Sequence, residues 1–183
     1  MEYGISTILF KNSFNCVLEE ISLAGFRCIE VYCDKQLLYF CEDINKAKTI
    51  LHQLGLEIKV AHCKFKNLWP DDPEEKKRME AVEIISSDFE MLSELGVDIV
   101  VVHMGRFRGG VCKELYTTLL KSSKQTIIEL GCKADNYGLK LAVENLSSCG
   151  GMTPLSSVAE ILDVIDGLDE NIGICLDTGH AFL

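Results

Sequence analysis

Residues 138–145, with the sequence Gly-Leu-Lys-Leu-Ala-Val-Glu-Asn, show the pattern from which the fold class can be inferred. A glycine and a hydrophobic residue end an amphipathic stretch, a short apolar run follows, and polar side chains close the run. The glycine-hydrophobic pair recurs five times, as Gly25-Phe26, Gly55-Leu56, Gly96-Val97, Gly138-Leu139 and Gly167-Leu168. Because glycine takes positive φ without a steric penalty, each pair predicts the C-terminal cap of a helix.

The apolar runs predict β-strands that are covered on both faces. Most are rich in Val, Ile and Leu and barely alternate with polar residues, which is typical of parallel sheets. The six runs are 5–10, 28–33, 58–63, 99–104, 141–146 and 172–176. Segments with helical periodicity lie between them, at about 13–24, 43–54, 73–95, 112–137 and 155–166. Asp72-Pro73 and Thr153-Pro154 supply start signals for the third and fifth of these helices.

The order of these segments predicts an α/β protein in which strand and helix alternate five times before a sixth strand. Such alternation indicates a parallel sheet with crossover helices. Two architectures fit it, an open doubly wound sheet and a (β/α)₈ barrel. A G-x-G-x-x-G motif after the first strand is missing, so dinucleotide binding has no support. Neither a linker nor a second domain is visible, so residues 1–183 are expected to form a single domain.

Composition narrows the class of protein. The chain has 183 residues, a formal net charge of −10 and a hydrophobic fraction of 48%, as expected of a soluble globular domain. The sequence shows neither an apolar run long enough for a membrane span nor a secretory signal. Its nine cysteines are odd in number and include no C-x-x-C pair. We therefore expect the protein to reside in the reducing cytoplasm and its cysteines to be free and mostly buried. The acidic balance makes nucleic acid an unlikely partner.

Ionisable side chains follow the predicted strands at the point where each run ends. A single histidine after an apolar strand is more often a hydrogen-bonded core residue, but in α/β barrels the C-terminal strand ends build one pocket. Histidine and carboxylate together are typical ligands of divalent metals such as Zn²⁺ and Mn²⁺. The sequence therefore predicts a shared metal site from these residues: His62, His103, Glu144, Asp177 and His180.

Three segments resemble motifs of the xylose-isomerase-like TIM-barrel superfamily. They are Val102-His103, Ala142-Val143-Glu144-Asn145-Leu146 and Leu176-Asp177-Thr178-Gly179-His180. The superfamily contains sugar and sugar-phosphate isomerases and epimerases, and the endonuclease-IV-type AP endonucleases (AP endonuclease family 2). The resemblance spans the whole chain in order and spacing, and it implies a (β/α)₈ TIM-barrel fold.

The resemblance implies different roles in its two branches. In the endonuclease-IV-like branch, residues that match His62 and His103 bind zinc, the match of Glu144 bridges metals, and the matches of Asp177 and His180 also bind metal. In the ketose epimerase branch, one Mn²⁺ or similar ion uses the matches of Glu144 and Asp177, and the match of His180 contacts substrate. A second substrate-contacting Glu of that branch falls on Gly150 here, which is a departure from its pattern.

The function expected from this resemblance is a metal-dependent sugar or sugar-phosphate isomerase or epimerase, which moves a proton next to a carbonyl. Glu144 is the expected base, and the cofactor is a divalent ion, Mn²⁺, Zn²⁺ or Mg²⁺. One alternative is an endonuclease-IV-like AP endonuclease with a Zn site, which the pair His62 and His103 favours and the net charge of −10 disfavours. A further alternative is a barrel fragment without catalysis.

Two loops offer candidate substrate contacts. Arg106 and Arg108 lie among glycines after the fourth strand, before a helix, which suits an anion such as a sugar phosphate; a solvated loop is the slightly preferred interpretation. Trp69 follows the third strand and is a candidate cover for a sugar, but packing against the start of the next helix is the preferred interpretation.

The chain is shorter than a typical complete (β/α)₈ barrel. A (β/α)₈ barrel typically takes about 250 residues, and this chain supplies six strands. We expect a C-terminally incomplete barrel of about six β/α units, with an open sheet edge between strands 6 and 1. The chain is expected to form a homo-oligomer across that edge.

Overall fold

The computed structural model describes residues 3–9, 14–34, 43–105, 111–148 and 153–181. Its strands form one six-stranded sheet whose strand order is the chain order. All five strand pairs are parallel. The strands are β1 (Gly4–Ser6), β2 (Cys28–Tyr32), β3 (Glu57–His62), β4 (Ile99–Val102), β5 (Lys140–Glu144) and β6 (Ile172–Cys175).

Helices connect consecutive strands, and one further helix follows β6. They are α1 (Phe14–Leu23), α2 (Ile44–Leu54), α3 (Glu75–Ser86), α4 (Phe89–Glu94), α5 (Lys113–Asp135), α6 (Val158–Ile165) and α7 (Thr178–Ala181), with a 3₁₀ helix at Thr7–Leu9. Because the strand order runs from one to six without the reversal that defines a doubly wound sheet, the architecture is that of a (β/α) barrel. The predicted fold class is confirmed.

The five predicted glycine caps are confirmed by their backbone angles. Each of these glycines has a positive φ, between 62° at Gly55 and 88° at Gly25. At the end of α2, the Gly55 N–H donates to the carbonyl of His52 at 3.1 Å. The glycine thus ends the helix and turns the chain into β3.

Two predicted element bounds are wrong. The first strand ends at Ser6, because Thr7–Leu9 turn into a 3₁₀ helix. The predicted helix at 73–95 is divided into α3 and α4 around Ser87 and Asp88. The Ser87 hydroxyl donates to the carbonyl of Ile84 at 2.8 Å, a local bond that competes with continued helix.

Both predicted proline start signals lie upstream of the helices that they announce. The Asp72 carboxylate accepts from the N–H of Glu74 at 2.8 Å, so it closes a turn before α3. After Pro154, Leu155 takes a positive φ of 58°, which is incompatible with a helix starting there. The N-cap of α6 is instead Ser157, whose side chain accepts from the N–H of Glu160.

The hydrophobic core lies between the sheet and the helices. Alternate β2 residues Ile29 and Val31 are each 1% exposed and pack in this core with side chains from α1, α4 and α5.

The expectation of mostly buried thiols is wrong for the described cysteines. Cys33 and Cys63 are buried, whereas three cysteines on or beside helices are exposed: Cys16, Cys112 and Cys132.

The sheet ends at β1 on one side and β6 on the other within the described residues. Every residue of β6 is only partly buried, and Leu176 just beyond it is 56% exposed.

Within the described ranges, no α-helix combines the length and the apolar character that a membrane span requires.

Candidate metal centre

Five ionisable side chains converge at the carboxyl edge of the sheet. Glu144 and His62 are the last residues of their strands, and His103 directly follows β4. Asp177 follows β6 and precedes α7, which contains His180. Because the strands are parallel, their carboxyl ends meet at one edge, and the structure brings together all five predicted metal ligands.

The first ligand group consists of His62, His103 and Glu144. Nε2 of His103 lies 2.8 Å from Oε2 of Glu144, and Nε2 of His62 lies 3.1 Å from the same oxygen. The two Nε2 atoms are 3.0 Å apart. Two imidazole nitrogens and one carboxylate oxygen therefore point at a common centre, and His₂-carboxylate is a donor set that suits zinc and similar ions.

The second ligand group consists of Glu144, Asp177 and His180. Its ligand atoms lie within 4.8 Å of one another. Oε1 of Glu144, the oxygen that the other histidines do not use, is 3.4 Å from Nδ1 of His180. Glu144 is 5% exposed and belongs to both groups, so one buried carboxylate connects them. Its two oxygens face different groups, which is the arrangement of a ligand shared between two centres.

Backbone carbonyls orient two of the imidazoles. Nδ1 of His62 lies 3.2 Å from the carbonyl of Cys63, and Nδ1 of His180 lies 2.8 Å from the carbonyl of Asn145. A carbonyl only accepts, so a neutral ring that bonds to it carries its proton on Nδ1. That tautomer leaves the lone pair of Nε2 available for a metal or a substrate proton.

The pKa values of Glu144 and His62 in the first group depend on each other. Burial by itself raises the pKa of Glu144, but hydrogen bonds from His103 and His62 outweigh it and hold that pKa well below its ordinary value. Burial lowers the pKa of His62, yet its hydrogen bond and attraction to Glu144 leave the pKa raised. The carboxylate is thus ionised at neutral pH, as a metal ligand must be.

Aromatic rings pack against the first ligand group. Tyr32 stacks on His62 with ring centroids 4.7 Å apart, and Phe65 stacks on His103 at 4.8 Å. Burial first, and then nearby carboxylates, raise the pKa of Tyr32, so its hydroxyl stays protonated. Neither aromatic residue was among the predicted site residues, although Tyr32 is the register partner of His62 and Phe65 follows His62 by three positions.

Asn145 also lies beside the ligand groups and was not among the predicted site residues. Its amide bonds to the backbone of Asp177 through both side-chain atoms. Its position directly after Glu144 is the signal that could have found it.

Of the predicted substrate contacts, the structure places His180 in the second ligand group. Arg106, Arg108 and Gly150 lie outside the described residues. Trp69 is partly buried in the turn that follows β3, where its carbonyl accepts from the N–H of Asp72. The roles of these residues stay predictions.

Comparison with known proteins places the chain in a family. The family profile described as "Xylose isomerase-like TIM barrel" matches residues 18–183. The protein MJ1311 of Methanocaldococcus jannaschii, described as uncharacterized, is 29% identical over 184 residues, which is 99% of this chain and 61% of MJ1311. A "Probable endonuclease 4" of Acholeplasma laidlawii is 26% identical over 143 residues, 75% of this chain and 46% of that protein.

A solved structure described as a D-tagatose 3-epimerase-like protein superposes with a TM-score of 0.82. It is 28% identical, and the match covers 99% of this chain and 66% of that chain. The chain therefore spans less than two thirds of the length of these three relatives.

Proposed function

The chain belongs to the xylose isomerase-like TIM-barrel family, and we propose on that premise that it provides the divalent-metal site of a sugar or sugar-phosphate isomerase or epimerase. The proposal rests mainly on the second ligand group, in which Glu144, Asp177 and His180 combine two carboxylates with an imidazole. The similarity over 99% of the chain to a D-tagatose 3-epimerase-like structure supports this chemistry. The net charge of −10 suits a small polyhydroxy substrate better than a polyanion.

The donor chemistry of this group fits Mn²⁺, Zn²⁺ or Mg²⁺, held by Glu144 and Asp177 with His180 as a ligand or a substrate contact. When bound, such an ion polarises the carbonyl and hydroxyl oxygens of a sugar. Glu144 is the proposed proton acceptor at the carbon beside the carbonyl. Nε2 of His62 and Nε2 of His103 both lie within hydrogen-bond distance of Oε2 of Glu144. These contacts hold the pKa of Glu144 low, so the carboxylate enters the reaction without a proton.

The low pKa of Glu144 limits its strength as a base. Because a general base works best when its pKa lies near the operating pH, the hydrogen bonds from both histidines favour the ligand role over the base role. Contacts that draw His62 and His103 away from Glu144 would raise its basicity. We therefore propose that Glu144 serves first as a ligand and second as the base.

A second candidate is an endonuclease-4-like phosphodiester hydrolase. The first ligand group favours it, because His62, His103 and Glu144 form a complete His₂-carboxylate set beside the second group. The "Probable endonuclease 4" of Acholeplasma laidlawii is similar over 75% of this chain. Two adjacent groups that share a carboxylate are suited to two metals, which is the usual arrangement in phosphoester hydrolysis.

The experiment that separates these candidates uses the purified chain after removal of metal and reloading with Mn²⁺ or Zn²⁺. One arm incubates ketoses and ketose phosphates in D₂O and follows deuterium incorporation beside the carbonyl by NMR. The other arm measures nicking of an oligonucleotide with one abasic site at low salt. Glu144→Gln is the inactive control for both arms.

Deuterium incorporation by the wild type that Glu144→Gln abolishes supports the isomerase proposal. Nicking without incorporation supports the hydrolase and overturns the isomerase. Metal binding with neither activity supports a barrel that binds metal without turnover, the third alternative.

We also propose that a second copy of the chain covers the sheet edges at β1 and β6. The support is the partial exposure of every β6 residue, since an uncovered edge strand offers its backbone to another chain. Light scattering coupled to size exclusion tests this proposal, and a monomer at high concentration contradicts it. The cytoplasmic location stays a prediction, which cell fractionation tests.

A further inference from the structure

We propose that Asn145 is a positioning residue, which joins the ends of β5 and β6 and thereby sets the placement of Asp177 and His180. The hydrogen bonds between the Asn145 side chain and Asp177, which we call the Asn145 lock, are seen directly in the structure. The consequence of the Asn145 lock for metal binding rests on the proposed function.

The Asn145 side chain makes a reciprocal pair of hydrogen bonds with the backbone of Asp177. The Asp177 N–H donates to Oδ1 at 2.7 Å, and Nδ2 donates to the Asp177 carbonyl at 2.9 Å. Since a backbone N–H only donates and a carbonyl only accepts, the two partners fix the orientation of the amide. Asn145 is 1% exposed, so water offers little competition for these bonds.

These bonds continue the sheet where its backbone pairing ends. The Asn145 N–H reaches the carbonyl of Cys175 at 3.4 Å, a long bond just past the paired register of Glu144 and Cys175. Beyond that point the amide replaces the backbone as the partner of β6. This matters because β6 has β5 as its single strand neighbour within the described residues.

The backbone of Asn145 holds His180 in addition. Its carbonyl lies 2.8 Å from Nδ1 of His180, a contact that orients the imidazole ring. The Asp177 Oδ1 accepts from the N–H of His180 at 2.8 Å, so Oδ2 is the oxygen left for a ligand role. One residue thus places a carboxylate oxygen and an imidazole nitrogen through three hydrogen bonds.

A purely structural role for Asn145 would stabilise the fold without affecting the two ligand groups differently. The positioning role predicts an asymmetry instead. Loss of the side-chain amide disturbs Asp177 directly, and it disturbs His180 through the bond of the His180 N–H to Oδ1 of Asp177. His62 and His103 keep their contacts with Glu144. Hydrogen exchange and metal binding, measured group by group, separate the two roles.

The first test needs no metal. Amide hydrogen exchange by NMR on the metal-free chain is expected to show a protected Asp177 N–H in the wild type and rapid exchange in Asn145→Ala. Asn145→Asp keeps an acceptor oxygen but lacks the Nδ2 donor, so its Asp177 N–H is expected to stay protected. An equally protected Asp177 N–H in Asn145→Ala overturns the proposal.

The second test measures Zn²⁺ and Mn²⁺ affinity by chelator competition, together with ¹H–¹⁵N correlations of the histidine rings. Loss of a partner that orients ligands typically costs about 10- to 100-fold in metal affinity. We expect losses of that size for Asn145→Ala and Asn145→Asp, with changed ring signals for His180 and unchanged signals for His62. Wild-type affinity in both variants overturns the proposal, and so does an equal disturbance of His62 and His180.

Asn171→Ala is the matched control. Asn171 lies just before β6, and its Nδ2 donates to the carbonyl of Gly131 at 3.0 Å, so the variant removes a similar amide bond at the far end of the strand. It is expected to leave metal affinity unchanged. If wild-type chain binds neither ion, the proposed function fails while the exchange experiment still decides the lock.

Discussion

Nε2 of His103 lies 2.8 Å from Oε2 of Glu144, across the neighbouring carboxyl ends of β4 and β5. His62 approaches the same oxygen from β3, and the other oxygen of Glu144 faces His180. One buried carboxylate at the end of β5 therefore joins side chains from the ends of β3 and β4 and from α7. The consequences of this shared position can be measured.

Glu144→Gln is expected to weaken metal binding more than loss of any other single ligand. The substitution keeps the shape of the side chain but removes the charge common to both groups. We expect the loss of affinity to exceed the roughly 10- to 100-fold typical of losing an outer hydrogen-bond partner. Isothermal titration with Zn²⁺ and Mn²⁺ measures it.

Glu57→Gln is the control for that substitution, since Glu57 lies at the opposite end of β3 and pairs with Lys59 at 2.9 Å. It is expected to bind metal like the wild type. Equal affinities for Glu144→Gln and wild type would remove Glu144 from the site.

His62→Ala and His180→Ala should affect metal binding differently. Under the isomerase proposal the chain binds one ion in the second ligand group, so His62→Ala keeps that ion and His180→Ala weakens it. Elemental analysis of dialysed protein gives the metal count for each variant. A wild type with two ions, one of which His62→Ala removes, favours the hydrolase instead.

The strand ends could be predicted from the sequence because they depend on local patterns. The apolar runs, the glycine caps and the alternation of elements decide which residues lie at one sheet edge, so His62, His103 and Glu144 were foreseeable there. The contacts between residues were less predictable. The stacking of Phe65 on His103 depends on the path of a turn, and the lock at Asn145 depends on the register between β5 and β6.

The metal-free chain should lose stability in both pH directions through the same cluster. The pKa of His62 is raised above its ordinary 6.5, so its contribution is complete below 6.5 and declines as the pH rises through the raised pKa. The pKa of Glu144 is lowered from its ordinary 4.5, so its contribution is complete above 4.5 and declines as the pH falls through the lowered pKa.

Urea unfolding of chelator-treated protein across this pH range measures the effect. The wild type is expected to show its largest contribution from the cluster between pH 4.5 and 6.5. In Glu144→Gln, the free energy of unfolding should change less with pH, both above pH 6.5 and below pH 4.5. A wild-type pH profile retained in that variant would contradict the assigned coupling.

Arg78 is expected to matter for stability and not for the site. Its guanidinium is nearly buried between α3 and α5, and it donates to Glu129 at 2.8 Å and 3.0 Å. Arg78→Met should cost about 2–3 kcal/mol of unfolding free energy, since it breaks a largely desolvated charged pair.

Lys77→Met breaks an exposed ion pair with Glu74 nearby on the chain and serves as the control. It should lower the free energy of unfolding far less than Arg78→Met does, because exposed ion pairs contribute little to stability. Chemical denaturation compares the two, and equal losses would show that the environment of Arg78 is not as buried as described. Both variants are expected to bind metal normally.

The most direct test of the central claim is anomalous diffraction at the zinc edge from crystals of the chain grown with Zn²⁺. We expect an anomalous peak about 2.0–2.2 Å from a carboxylate oxygen of Glu144, with further ligands from Asp177 and His180 or from His62 and His103. Full zinc occupancy elsewhere, with no peak beside Glu144, would contradict it.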